Sequence, residues 1–471
     1  MSSDDADIPT DDIDIPNFLM LDQIPANYTQ QLETDLLEPV VFSQGAANTD
    51  GFCRFTLQNK GFLHSHSKIF VALKPAAGQT NVFLQPHVGI GQIVKKAVLK
   101  IGNKTLNEID SWASLHAVKS SLITNENNRE REMYMTGRFM NHDFIYNDDS
   151  KVFANSYGLD NGVEYSSTGS SLEQPSWAIM DGTKPDECPS YSIDLSDLFP
   201  FLKVNQLPLY LIKEPINIEL TFEPTTKRRV QITNGISADL ACEIVRDELK
   251  FCADYIFYGS SDEMDRFAMG RGRDMNFSFV DYRLVEHTTS PTQLGSTVIR
   301  NLGMANRMVP RIITLLAADD QDEDTIFGKN NSMAPFVSAD GVSGGVKYNV
   351  RYNDRFEFTS DVDNIARLFS IFQQSEGVPF ITRQEFSDCG SVAGAITTRT
   401  FQGRDQSATM SGHMFYLATR LTNGRVGQRG IEVHVSGDFP DSGRVLNLMR
   451  CFCEYIRVGR LSNGFFEIYN A

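Results

Sequence analysis

The sequence predicts an all-β protein with two domains. The chain has 471 residues, which is more than one hydrophobic core usually supports, so we expect two units of roughly 200 residues each. Its 32 Phe and 15 Tyr suit half-buried pleated surfaces, and its 34 Gly and 18 Pro suit the turns between short strands. Apolar and polar residues also alternate with a period of two along much of the chain.

The alternation is clearest in a few segments, which we predict to be strands with one face on a core. They are Cys53–Leu57, Ile218–Phe222, Tyr348–Tyr352 continuing through Phe356 and Phe358, and Ile431–Val435. Lys96–Ile101 and Lys104–Ile109 flank Gly102-Asn103, and this arrangement predicts a hairpin with a tight turn.

Helices are expected to be few. Helical spacing runs from Ser111 to about Met133 and again over Asp361–Gln373, and Ser260 begins a capping box that predicts a short helix. Two stretches rich in Gly, Ser, Asn and Asp, residues 148–190 and 318–345, are predicted to be long loops at comparable positions in the two halves.

Charge is distributed unevenly. The net charge is −17, and residues 1–53 hold eleven Asp or Glu without any Lys or Arg, whereas the rest carries 43 Lys or Arg against 49 Asp or Glu. Such an N-terminus disfavours direct, sequence-specific nucleic-acid binding, which usually needs a basic arm. Two interpretations stay open: a solvated tail, or an arm that docks on a neighbouring subunit. We expect no membrane span and find no signal-peptide pattern.

The cysteines and histidines do not predict a metal site. Seven cysteines without a secretory signal favour reduced, packed thiols, and Cys451 and Cys453 would share one face of a strand. His64 and His66 would lie on one side of a strand, but no third ligand is suggested, so metal binding is the minority interpretation.

No catalytic constellation emerges. Gly341–Gly345 matches Gly-x-Ser-x-Gly, but a loop precedes it and a strand follows, which is the wrong context for a nucleophile elbow. The acidic run Asp319–Asp324 lacks the Gly and terminal Glu of a calcium loop, and Gly89-Ile-Gly91 lacks the third glycine of a dinucleotide fingerprint. We therefore predict no catalytic, cofactor-binding or metal-ligating residues, no cofactor, and a protein that is not an enzyme.

Three stretches resemble the double jelly-roll major capsid proteins of nucleocytoplasmic large DNA viruses, polinton-like viruses and virophages. They are Val98–Ile109 followed by Asp110-Ser-Trp112; Ile193–Leu202 with Leu207–Ile212 and Ile216–Phe222; and Leu249–Tyr258 with Ser261–Ala268. In the first, Asn103 stands where the family usually has a second glycine, and Asn tolerates the left-handed conformation such a turn requires.

The resemblance implies two consecutive eight-stranded jelly rolls with a few short helices and long loops. We expect an acidic arm over residues 1–35, a first jelly roll over 36–226, a linker over 227–240 and a second jelly roll over 241–471, with Leu249–Tyr258 opening the second barrel. The implied function is that of a major capsid protein. Its homotrimers would form pseudo-hexagonal capsomers in the icosahedral shell of a double-stranded DNA virus.

The same resemblance implies the partners. They would be other copies of the chain, neighbouring capsomers and minor or penton capsid proteins, in virions assembled inside the host cell. The loops 148–190 and 318–345 would form the outward tower, and the arm and Leu461–Ala471 would lie at the inner rim.

Two alternatives share the fold class. A carbohydrate-binding jelly roll would expose loop aromatics, of which Trp177 is the one tryptophan candidate, and a minor or penton capsid protein would usually be a single jelly roll of about half this length.

Overall fold

The structure is a computed structural model. It describes residues 30–76, 82–84, 89–123, 135–137, 144–147, 152–155, 179–180, 190–228, 230–231, 241–258, 274–288, 298–317, 347–362, 367, 370–371, 374–375, 397–401, 404–408, 417–422, 424–436 and 448–470. Within these ranges the chain is mostly antiparallel β-sheet, and no described helix has the length and apolarity that a membrane crossing requires.

We call residues 30–258 the N-terminal half and residues 274–470 the C-terminal half. The strands of the N-terminal half are β1 (Gln30–Leu37), β2 (Val41–Ser43), β3 (Gly51–Leu57), β4 (Phe62–Leu63), β5 (Lys68–Pro75), β6 (Val82–Phe83), β7 (Val94–Ile101), β8 (Lys104–Asp110), β9 (Phe144–Asn147), β10 (Val152–Asn155), β11 (Ile179–Met180), β12 (Ser190–Asp194), β13 (Leu207–Pro208), β14 (Ile216–Phe222), β15 (Val230–Gln231), β16 (Cys242–Ile244) and β17 (Lys250–Tyr258). Its α-helices are α1 (Trp112–Ile123), α2 (Leu195–Leu198) and α3 (Pro200–Val204), and short 3-10 turns cover Gly89–Ile93, Leu209–Leu211, Thr225–Lys227 and Arg246–Glu248.

The strands of the C-terminal half are β18 (Asp274–Thr288), β19 (Val298–Gly303), β20 (Arg311–Ala317), β21 (Lys347–Tyr352), β22 (Arg355–Phe356), β23 (Thr397–Phe401), β24 (Arg404–Ala408), β25 (Leu417–Arg420), β26 (Ile431–Ser436), β27 (Leu448–Ser462) and β28 (Phe465–Asn470).

One sheet of the N-terminal half has the strand order β2-β3-β14-β7-β8. Strands β3 and β14 alternate between buried and half-buried residues, as the period of two predicts. Phe55, Ile218 and Leu99 stand opposite one another on neighbouring strands and are fully buried. This row of apolar side chains is the centre of the sheet's inner face.

The other large sheet of this half is built around β17, and two small sheets, β10-β9 and β11-β6-β15, are separate from both. The order of the β17 sheet is β12-β5-β17-β4-β13, with β1 along the other side of β17 and β16 beside β5. Lys250–Tyr258, expected to open the second barrel, thus hydrogen-bonds to strands of the N-terminal half. Residues 30–35, expected to end the arm, belong to β1 and pair with the same strand. Residues 1–29 lie outside the described residues.

The predicted hairpin is confirmed as β7 and β8, with Gly102 and Asn103 between them. The left-handed residue of the turn is Gly102, with φ of 58°, and Asn103 has no positive φ. Asn103, which replaces the usual second glycine, therefore does not need a left-handed backbone conformation.

The C-terminal half also has two larger sheets, in addition to the separate two-stranded pair β23-β24. One has the order β18-β27-β20-β25 with β28 on β27, and the other has the order β19-β26-β21-β22. The strands predicted at Tyr348–Tyr352 and Ile431–Val435 are confirmed as β21 and β26. Cys451 and Cys453 are fully buried on one face of β27, as predicted, and Cys53 and Cys242 are buried free thiols in the other half.

The helices and loops agree less closely with the prediction. Helix α1 begins one residue later than expected, after Ser111 in a left-handed conformation, and its described part ends at Ile123. The described residues among 363–375 are helical, and the segment starting at Ser260 lies outside the described residues. The expected loop 148–190 contains β10 and β11, whereas 318–345 is not described.

Candidate functional site: the junction between the two halves

An aromatic contact joins the halves at α3. Pro200 occupies the first turn of this short helix, where its fixed φ suits the helix start and its missing N–H costs nothing. The next residue, Phe201, is fully buried, and its ring lies 5.7 Å from Phe277, 5.0 Å from Phe279 and 6.3 Å from Phe466. A side chain of the N-terminal half therefore completes an aromatic cluster of the C-terminal half.

Asp281 is the centre of a buried polar cluster beside these rings. It is 1% exposed, and its Oδ2 accepts hydrogen bonds from Tyr455 Oη at 2.9 Å and Arg457 Nη1 at 2.8 Å. Its Oδ1 accepts from Asn107 Nδ2 at 3.2 Å and from the backbone N–H of Glu108 at 3.3 Å. Two of the four donors come from β8 of the N-terminal half, so the carboxylate links the two halves directly.

Its neighbours extend the link. Arg457 also donates to the carbonyl of Leu106 at 2.9 Å, and Asn107 accepts from the backbone N–H of Phe201 at 3.0 Å. Burial raises the pKa of Asp281, while Arg457, Asn107 and Tyr455 oppose that rise. Burial is the main cause, and the nearby Asp281 carboxylate the second, of a rise in the pKa of Tyr455 to about 12. The buried carboxylate thus depends on these donors to hold its charge.

Helix α1 adds a second set of polar contacts. Ser114 Oγ accepts a hydrogen bond from Arg450 at 2.9 Å, and Lys119 contacts Tyr282 and lies 3.9 Å from Glu454. Glu454 also accepts from Tyr282 Oη of its own half at 2.6 Å, so Arg450 and Glu454 are the charged residues here that have a partner from α1.

The turn between β27 and β28 completes the junction. The N–H of Lys213 donates to Gly464 O at 2.9 Å, and the N–H of Phe466 donates to Glu214 at 3.2 Å. Of Leu461–Ala471, expected at an inner rim, residues 461–462 end β27 and Phe465–Asn470 form β28, which pairs with β27. The turn between them and Phe466 contact the N-terminal half of the same chain. Phe465 and Tyr469 remain about half exposed.

Sequence reasoning missed the whole junction, although a signal was present. Asp281 falls in phase with the buried Phe277 and Phe279 along β18, and a carboxylate on the apolar phase of a strand requires buried donors. The sequence does not tell which donors those are, because Asn107 and Arg457 lie far away along the chain.

The residues whose sequence patterns resemble metal-binding, catalytic or nucleotide-binding motifs are not brought into one site. His64 Nδ1 accepts the backbone N–H of His66, whose own ring is exposed 3.8 Å from Asp194. Gly89 and Gly91 lie in a buried 3-10 turn, and Asp319–Asp324, Gly341–Gly345 and Trp177 are outside the described residues. Among the residues that the structure describes, no group of three or more His, Cys, Asp or Glu is arranged to hold a metal ion.

The chain matches no protein-family model and no curated protein. Its fold, in contrast, matches solved structures over nearly their full lengths. The PBCV-1 virus capsid shares 11% identity with a TM-score of 0.57, over 94% of this chain and 97% of that chain. The Sputnik virophage structure shares 12% identity with a TM-score of 0.56, over 93% and 88%. The mavirus major capsid protein shares 11% identity with a TM-score of 0.52, over 95% and 91%.

These solved structures are double jelly-roll capsid proteins, and the fold predicted from the sequence is confirmed. This chain has the double jelly-roll fold.

Proposed function

We propose that the protein is a major capsid protein whose homotrimers form pseudo-hexagonal capsomers of an icosahedral virus shell. The observation that carries the proposal is the near full-length match of both halves together to the PBCV-1 capsid and the mavirus major capsid protein. A minor or penton protein with one jelly roll would align with double jelly-roll structures over only about half of their length. The carbohydrate-binding alternative depends on an exposed loop tryptophan, and its candidate, Trp177, lies outside the described residues.

The junction explains how one chain could act as a building block. Phe201, Asp281 and the turn at Gly464 fix the two halves against each other by apolar packing, buried hydrogen bonds and backbone contacts. Two barrels held in a fixed relation present two wedges, and three such chains present six. A junction that flexed would lose the regular outline that close tiling of a shell requires.

The partners follow from this proposal. Copies of the chain would contact one another within and between capsomers, and minor or penton capsid proteins would fill the remaining positions of the virion. The genome would not be bound by the N-terminus, because its carboxylates repel phosphate. The chain would have no catalytic role. The chain would divide into an acidic arm (1–35), a first barrel (36–226), a linker (227–240) and a second barrel (241–471), with β16 and β17 of the last range pairing with a strand of the first barrel.

Size and shape of the purified protein test the proposal together. We expect light scattering after gel filtration to give a mass near three times 52.8 kDa, and negative-stain images to show a pseudo-hexagonal outline. A stable monomer at every concentration tested, or a trimer without that outline, would contradict the capsomer.

A further inference from the structure

We propose that one end of the C-terminal half is a docking surface for the acidic N-terminal segment of this protein, residues 1–29. Three connections meet at this end: residues 304–310, 353–357 and, apart from the undescribed residue 423, 420–430. They carry what we call the arginine surface, formed by Arg307, Arg355, Arg420, Arg425 and Arg429.

Hydrogen bonds hold the three connections in one frame. The side chain of Asn353 donates to the carbonyl of Arg425 at 2.8 Å and accepts from the N–H of Gly427 at 2.6 Å. The N–H of Val426 donates to the carbonyl of Arg307 at 2.9 Å. The backbone that carries the arginines is therefore fixed by contacts that do not use their guanidinium groups.

The charge of this surface is not balanced locally. Its two acidic residues are engaged: Asp354 pairs with Arg429 at 2.5 Å, and Glu357 accepts from Thr422 at 2.6 Å. Arg355, Arg420 and Arg425 are exposed, and their side chains make no hydrogen bond or ion pair with any residue that the structure describes. In a chain of net charge −17, a group of unpaired arginines calls for an anionic partner.

Apolar side chains are exposed in the same place. Met308 is 41% exposed and forms a backbone bridge with Arg425, and Phe356, which follows Arg355, is 50% exposed. Arginine next to exposed Met and Phe is the composition of a peptide- or protein-binding surface rather than of a solvated face. The partner should therefore carry both acidic and apolar side chains.

The N-terminal segment has this composition. Residues 1–29 contain seven Asp and no Lys or Arg, and Asp12-Ile13-Asp14-Ile15 alternates acidic and apolar residues just before Phe18-Leu-Met-Leu21. The segment joins the fold at Gln30, the first residue of β1, and its 29 residues span about 100 Å when fully extended. A compact chain of 471 residues has a radius of gyration of about 23 Å, so a segment of that length is long enough to contact the arginine surface of its own copy or of an adjacent one.

Site-specific photo-crosslinking in the full-length protein tests the contact. With p-benzoylphenylalanine in place of Phe18, we expect irradiation to cross-link peptides that contain residues 304–310, 353–357 or 420–430, identified by mass spectrometry. Links within one copy and between copies both support the proposal. Because the attraction is electrostatic, the yield should also fall as NaCl is raised.

Charge reversal supplies the matched comparison. The triple variant R355E/R420E/R425E should lower the yield about tenfold, because the surface then repels the segment. The control K74E/R246E/K347E makes the same charge change at exposed residues away from this surface and should leave the yield unchanged. Neutralising the other partner, in D11N/D12N/D14N, should lower the yield without altering the surface. Cross-links to other parts of the protein, or equal yields from the triple variant and the control, would overturn the proposal.

Discussion

Asp281 shows how much one side chain can decide at the junction. A buried carboxylate loses its hydration, and here four donors replace it, two from each half. Replacing it with leucine leaves Arg457 charged and largely buried without its carboxylate. We expect D281L to lose about 3–5 kcal/mol of unfolding free energy, measured by urea denaturation followed by circular dichroism.

The double variant D281L/R457L separates the charge from the packing. Because it removes both ions, it should regain most of the loss, leaving a residual cost of about 1–2 kcal/mol for the unpaired polar groups of β8. A D281L protein within about 0.5 kcal/mol of the wild type would show that the pair has no such role.

At this scale the sequence predicts little of the site. Alternation identifies which positions of β3 or β14 are buried, because burial there depends on the local period of two. The partners of Asp281 depend instead on which distant strands meet, and nothing in residues 277–284 encodes that meeting. The buried Arg228 is similar: its guanidinium donates to Gln44 and to the carbonyl of Glu223, so it connects segments far apart in the sequence.

At the scale of elements, the β7–β8 turn depends on Gly102. Its φ of 58° is in the left-handed region, and a Cβ there would lie 2.5 Å from Glu214 Oε1. Glu214 is also the acceptor for Phe466 at the junction, so a side chain at position 102 would disturb two features at once. We expect Gly102→Ala to cost about 2–4 kcal/mol by thermal or urea unfolding.

Gly424 provides a matched control for that substitution. Its φ of 61° is nearly the same, but a Cβ there would meet nothing closer than 3.8 Å. Gly424→Ala should therefore cost only the backbone penalty of about 1–2 kcal/mol. Equal costs at the two positions would mean that the contact with Glu214 contributes nothing.

The elements also show where prediction from sequence ends. The β7–β8 hairpin is predictable because strand, turn and strand are adjacent in the chain. The pairing of β17 with β1, β4 and β5 is not, because those partners lie in another part of the sequence and the local pattern is equally compatible with either barrel. The resemblance to capsid proteins gives the order of the motifs along the chain, whereas only the structure shows which strands pair with β17.

At the scale of the whole molecule, the junction should make the two halves unfold together. Phe201 is buried among Phe277, Phe279 and Phe466, so the N-terminal half cannot unfold without exposing an aromatic cluster of the C-terminal half. Scanning calorimetry at fixed protein concentration should give one transition for the wild type.

Truncating the Phe201 side chain should uncouple the unfolding of the two halves. Phe201→Ala removes a ring whose burial is worth about 3–5 kcal/mol and whose contacts cross the junction, so we expect the single transition to split into two. Phe55→Ala removes an equally buried ring from the inner core of the N-terminal half and should lower the temperature of a single transition. Phe201→Ala could instead keep one transition, shifted as in Phe55→Ala. In that case the polar contacts of Asp281 and Glu454, rather than the packing of Phe201, would couple the two halves.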